Sequence, residues 1–153
     1  MEAEKLRSLI IPYRGGMTVL PNSMVVEVLP YAPPLGLENA PPWVLGSMLW
    51  KAQPLVLVSL EYLSRQKAGG GMHNRIIVVQ AITGQPKLGY LGFVGSEAPR
   101  ILDLMREEIS KEIFLENSAP GVAEQVLIQG ERAIIPNFDL IEKTISELLN
   151  HDR

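Results

Sequence analysis

A chain of 153 residues with 46% hydrophobic and 20% charged side chains can bury one core of ordinary size, or two small lobes sharing one, and is too short for two enzyme-sized domains. Its formal net charge of -3 provides no global positive field for phosphates or an anionic bilayer, which excludes nucleic acid as the first partner class. It has no cysteine, so disulfides, thiolate catalysis and thiolate metal sites are excluded together, and a reducing compartment fits.

The opening residues MEAEKLRSLIIP start acidic and confine their apolar run to Leu9–Pro12, unlike a signal peptide. No run approaches the roughly 20 apolar residues of a membrane span, so the expectation is a cytoplasmic protein without direct membrane insertion. Leu6 to Pro12, then Arg14-Gly15-Gly16, then Met17 to Leu20 predict a hairpin. Asn22 to Val28 fits a helical turn as well as a strand. Tyr31 to Pro42 carries Pro33, Pro34, Pro41 and Pro42, which predicts an extended surface loop. Val44 to Trp50 and Leu55 to Leu60 read as two strands, the second too continuously apolar to be buried on one face only.

Gly69-Gly70-Gly71 make Arg65 to Asn74 the expected flexible loop or crossing between two lobes. A second hairpin spans Asn74 to Val94, with β-branched Ile76-Ile77-Val78-Val79 and turn residues Thr83-Gly84-Gln85-Pro86. Over Arg100 to Phe114, Ile101, Met105, Ile109 and Ile113 recur every four residues, and this spacing alone predicts a helix. The third hairpin runs from Glu124 to Ile135 through Gln129-Gly130-Glu131. Last, Pro136 to Asn150 predicts a helix capped by Asn137, with Asp139 in its first turn and Phe138, Ile141, Ile145 and Leu148 on one face. Three glycine-centred hairpins argue for a mainly β chain.

Chemistry is sparse. The two histidines, His73 in the glycine-rich loop and His151 near the end, lie in segments expected to be mobile, the wrong place for a metal ligand or general base. No zinc-protease, phosphate-loop, dinucleotide or nucleophile-elbow motif occurs. Glu107, Glu108, Glu112 and Glu116 lie among basic residues, as on a solvated face. Neither a cofactor nor a metal is expected, and a binding protein is favoured over an enzyme. Most aromatics and methionines should fill cores, but Trp50-Lys51, at the bend between two apolar strands, has the composition of an interface.

Val25-Val26-Glu27-Val28 and Ala40-Pro41-Pro42-Trp43-Val44-Leu45-Gly46 resemble the CheW-like domain of chemotaxis coupling proteins, scaffolds that join a CheA-type sensor histidine kinase to chemoreceptors. The likeness continues through Ile76–Val79, Leu91–Val94, Val126–Gly130 and Asp139–Lys143. It implies one domain over residues 1–153, built of two packed five-stranded SH3-like barrels with short helices and a C-terminal helix, and a receptor groove between them. It also implies a strand at Arg100–Leu104 and a turn at Met105–Ile109 in place of the local helix. The implied partners are a CheA-type histidine kinase and a methyl-accepting chemoreceptor, bound by a monomeric or weakly self-associating adaptor at the inner face of the membrane.

By the same resemblance Val25 and Val28 contribute apolar contacts to the groove, Val94 joins them from the other lobe, and Lys51 supplies a positive contact. Val25 and Val28 read equally well as core residues of the turn. The chain departs from the family at Lys51, Ala52, Leu49, Val56 and Ser59, where arginine, glycine, asparagine, proline and aspartate are expected. Lysine keeps the charge of arginine and loses its planar fork. The Leu-Trp-Lys variant resembles coupling proteins of type IV pilus chemosensory systems. Two other readings remain open: a small β-barrel enzyme or ligand-binding domain, and an SH3-like peptide-binding module.

Overall fold

The computed structural model describes residues 5–65, 67–113 and 119–151. Strands β1 (Lys5–Tyr13) and β2 (Gly16–Pro21) form the first predicted hairpin, with Ile10 opposite Val19. The ambiguous stretch after it is both of its alternatives in turn: a 3-10 turn at Asn22–Met24, then β3 (Val25–Pro30). Next come β4 (Val44–Trp50), β5 (Gln53–Ser59), the short helix α1 (Leu60–Arg65), β6 (Arg75–Gln80) and β7 (Tyr90–Gly95). These strands make a five-stranded sheet in the order β3-β6-β7-β5-β4. The chain returns through β8 (Arg100–Met105), β9 (Ile109–Lys111), β10 (Val122–Ile128) and β11 (Glu131–Pro136), and ends in α2 (Phe138–His151). The second sheet has the order β8-β1-β2-β11-β10-β9.

That sheet has six strands where the resemblance implies five, because the three-residue β9 adds to the free side of β10. The helix suggested by the four-residue spacing does not form. Arg100–Met105 instead pairs with β1, Leu9 facing Ile101 and Leu6 facing Leu104, and a 3-10 turn follows at Arg106–Glu108. Strand pairing takes up the backbone groups that a helix would have used, so tertiary context overrides the local period. Phe114 and Glu116 lie outside the described residues.

Strand pleating divides the apolar residues among three clusters. Ile10, Met17, Val19, Leu104, Val126 and Ile128 fill the six-stranded lobe. Trp50, Leu55, Leu57, Ile76, Val78 and Val94 fill the five-stranded one. The alternate residues, among them Leu9, Ile11, Leu20, Val56, Val58, Ile77, Val79 and Phe93, meet between the lobes in a shared core. A strand that feeds one cluster from each face has no polar side, which is why Leu55 to Val58 is apolar without interruption. Helix α2 covers this shared core with Ile141 and Ile145, and Asn137 Oδ1 caps it by accepting the Leu140 N–H at 3.2 Å.

The glycine-rich segment differs from its expectation. It joins α1 to β6 within the five-stranded lobe, while the crossings between lobes fall between β2 and β3 and between β7 and β8. It is also anchored: Arg65 donates to the carbonyls of Lys67 and Gly69, the Gly71 N–H to Tyr62 Oη at 3.0 Å and the Asn74 N–H to the Gly95 carbonyl at 2.8 Å. No helix of the described residues is long and apolar enough to cross a membrane.

Candidate functional site

The candidate surface is built on β3 and the β4–β5 hairpin, the two margins of the five-stranded sheet. Along β3, Val25, Glu27 and Leu29 turn inward while Val26, Val28 and Pro30 face out. Val25 packs on the shared core and Leu29 on the core of its own lobe. Val28 and Val26 are 43% and 40% exposed. The structure therefore separates two residues that the sequence left equivalent: Val25 is mainly a packing residue, and Val28 is a surface residue. Val26, unpredicted, lies outward beside it, and only the alternation of a strand already assigned could have revealed it.

Glu27 sets the position of the rest. Its Oε2 accepts the indole N–H of Trp50 at 3.0 Å, so the two edge strands of the sheet are tied together and the sheet curls around its core. Trp50, nearly buried, meets Tyr90 edge-on at 5.1 Å. The exposed Lys51 follows it, and its ammonium stands 4.9 Å from the centroid of the Trp50 ring. Lys51 and Ala52 make the two-residue turn from β4 to β5, with φ of 47° and 62°. Turns with both central residues in this region suit the twist of a hairpin, but they favour glycine or asparagine. Ala52→Gly, which restores the residue the resemblance expects there, should therefore stabilise the fold by about 1 kcal/mol. The urea midpoint at constant slope measures it, and a lower midpoint would show that the turn carries no such strain.

Val94 does not belong to this surface. It lies on β7 of the same sheet as β3, not on the other lobe, and it is fully buried between Ile76 and the β5 side chains. A side chain with no accessible area has no contact to offer a partner unless the core opens. Two other residues do face out here: Leu49, 75% exposed on β4, and Leu35, 82% exposed on the proline loop that bridges to Ser47 of β4. A leucine where the family carries asparagine was the sequence signal for the first; nothing marked the second.

The histidine expected to be mobile is held in place. His73 Nε2 is 2.9 Å from Ser59 Oγ, with the rings of Tyr62 and Tyr31 beside it. Burial is the main influence lowering its pKa below the usual histidine value; Glu61 opposes this, and Arg65 and Arg14 reinforce it. Ser59 is fully buried and already accepts the Tyr62 N–H at 3.1 Å, so its hydroxyl caps a helix and is not presented to a substrate. Glu108, expected to be a solvated carboxylate, accepts from Gln129 Nε2 and the Met105 N–H, and these bonds lower its pKa. The described part of His151 does not include its side chain.

The geometry is that of a surface presenting aliphatic groups and one cation from a rigid sheet. The CheW-like domain family matches residues 8–144. Among solved structures, the scaffolding protein TtCheW from Thermoanaerobacter tengcongensis superposes with a TM-score of 0.68 at 14% identity, over 89% of this chain and 86% of that one. No curated protein sequence matches.

Proposed function

The chain belongs to the CheW-like family, and from that premise we propose that it is a non-enzymatic adaptor coupling chemoreceptors to a CheA-type histidine kinase. The observation that carries the reading is the family match over nearly the whole chain, in a fold whose β3 and β4–β5 margins present Val28 and Lys51 to solvent. In this role the protein performs no chemistry. It holds the kinase relative to the receptor, so that receptor conformation biases kinase activity through differences in binding free energy. Such work places it in the cytoplasm, at the inner face of the membrane through its partners, and the Leu49-Trp50-Lys51 variant makes a type IV pilus chemosensory system the narrower candidate.

Val25 and Val28 provide the test because they differ in burial, Val25 packing on the shared core and Val28 facing solvent. Val28→Glu should abolish co-purification with a CheA-type kinase and a chemoreceptor signalling domain, while the stability stays within about 0.5 kcal/mol of the parent, as for an exposed site. Val25→Glu should lower stability by about 2 kcal/mol or more, since it buries a charge against the shared core. Retained binding in Val28→Glu removes that residue from the interface. Failure of the unmodified protein to retain either partner, together with saturable binding of a small metabolite, would sink the adaptor reading.

A further inference from the structure

Away from that surface, four segments converge on one buried polar cluster. Ser59, at the end of β5, caps α1 through Tyr62 N–H and lies against His73 Nε2 of the glycine-rich loop. The arrangement that pairs every polar atom of this trio has the hydroxyl donating to Nε2, which makes His73 a neutral imidazole protonated on Nδ1. Two residues further on, Glu61 is 1% exposed and its carboxylate holds three donors: Arg14 Nη2 at 2.9 Å, Arg65 Nη1 at 3.1 Å and the Met72 N–H at 3.2 Å. Arg14 belongs to the β1–β2 turn of the six-stranded lobe, whereas Glu61 belongs to α1 of the five-stranded one. A single carboxylate thus ties the two lobes, and it stands in the first turn of the helix that Ser59 caps.

We propose that His73 is a proton-operated latch on the contact between the lobes: a proton on Nε2 deprives the Ser59 hydroxyl of its acceptor, loosens the cap on α1 and with it the Glu61–Arg14 tie. The groups facing the ring are Tyr31 after β3, Glu61, Tyr62 and Arg65 of α1, and Arg14 of the opposite lobe. Burial and the two guanidinium groups work against an imidazolium here, and Glu61 favours it. The folded protein therefore binds this proton less readily than the unfolded chain. Stability from His73 is complete above the unfolded histidine pKa, declines as pH falls through that value, and levels off below the folded pKa. The latch is a property of the fold and stands whichever partner the surface takes.

The experiment is an NMR titration of the intact chain from about pH 8 to about pH 5, the range in which histidine changes charge. It follows the His73 ring together with the hydrogen-exchange protection of the Tyr62 and Met72 amides, corrected for intrinsic rates. We expect a His73 midpoint below that of free histidine, and a several-fold loss of protection at both amides across the same midpoint. In His73→Gln, which cannot titrate, that protection should no longer vary with pH. Steady protection through the His73 titration overturns the proposal, as does unchanged pH dependence in His73→Gln. Should that variant not fold, the co-titration in the parent protein decides alone.

Discussion

Replacing Gly46 by alanine should destabilise the protein by about 3–5 kcal/mol, the range reserved for a backbone clash combined with an unfavourable dihedral. Gly46 has a φ of 140°, which L side chains rarely adopt, and it sits at the bulge where the β4–β5 register shifts. A Cβ there would overlap the carbonyl oxygen of Leu35 and stand 2.7 Å from its carbonyl carbon. These are backbone atoms held by the paired bonds from Leu35 N–H to the Ser47 carbonyl, 3.0 Å, and from Ser47 N–H back to Leu35, 2.8 Å. Neither side can yield without breaking the bridge that fastens the proline loop to the edge of β4. Gly36→Ala is the control: nothing lies within 4 Å of its Cβ, and the change should be nearly neutral. Urea unfolding of the two variants side by side measures the difference. Equal midpoints would mean that the loop does not press on β4 as described.

The second large effect is expected at Glu142. This residue is fully buried in α2, and its carboxylate accepts the Ile82 N–H at 3.0 Å, the Thr83 N–H at 3.0 Å and the Thr83 hydroxyl at 2.8 Å. The C-terminal helix thereby pins the loop that joins β6 to β7. Glu142→Ala removes the acceptor of three donors at once. Each would cost about 1–3 kcal/mol if it stayed dry, but Ile82 and Thr83 lie near the surface where water can replace part of the loss, so about 3 kcal/mol in total is expected. Glu142→Gln should recover much of the loss. Glu142 Oε1 alone accepts from the Ile82 N–H, the Thr83 N–H and the Thr83 hydroxyl, and an amide oxygen can take that place with only its NH2 group set against the Ile82 N–H. Exchange of the Ile82 and Thr83 amides should accelerate in both variants. If Glu142→Ala proves as stable as the parent, this side chain is not the anchor of the loop.

Sequence carried the local features of this fold and lost the distant ones. Arg14-Gly15 and Gln129-Gly130 marked their hairpins because turn chemistry resides in the turn itself, and Asn137 marked its helix because a cap acts within three residues. Nothing near Glu61 or Glu142 in sequence reveals that Arg14 or the Thr83 loop will be brought to them. The spacing at Ile101, Met105, Ile109 and Ile113 misled for a related reason: it arises from a strand, a 3-10 turn and a second strand in succession. For the candidate site, the sequence named Val25, Val28, Lys51 and Val94 without showing which of them face solvent. Deciding between Val25, Val28 and Val94 required the pleat and the third dimension.

The strand order has a further consequence, for how the protein is made. The five-stranded sheet draws all its strands from one continuous stretch, β3 to β7, whereas β2 reaches its parallel neighbour β11 only through Met17–Ala133 and Thr18–Ile134, near opposite ends of the chain. During synthesis the inner lobe has its full set of strands before β8 exists. The outer lobe must wait for β11, its first hairpin holding one open edge and one exposed apolar face until then. The lobe begun first is the lobe completed last, and the shared core closes only once β11 and α2 have been made.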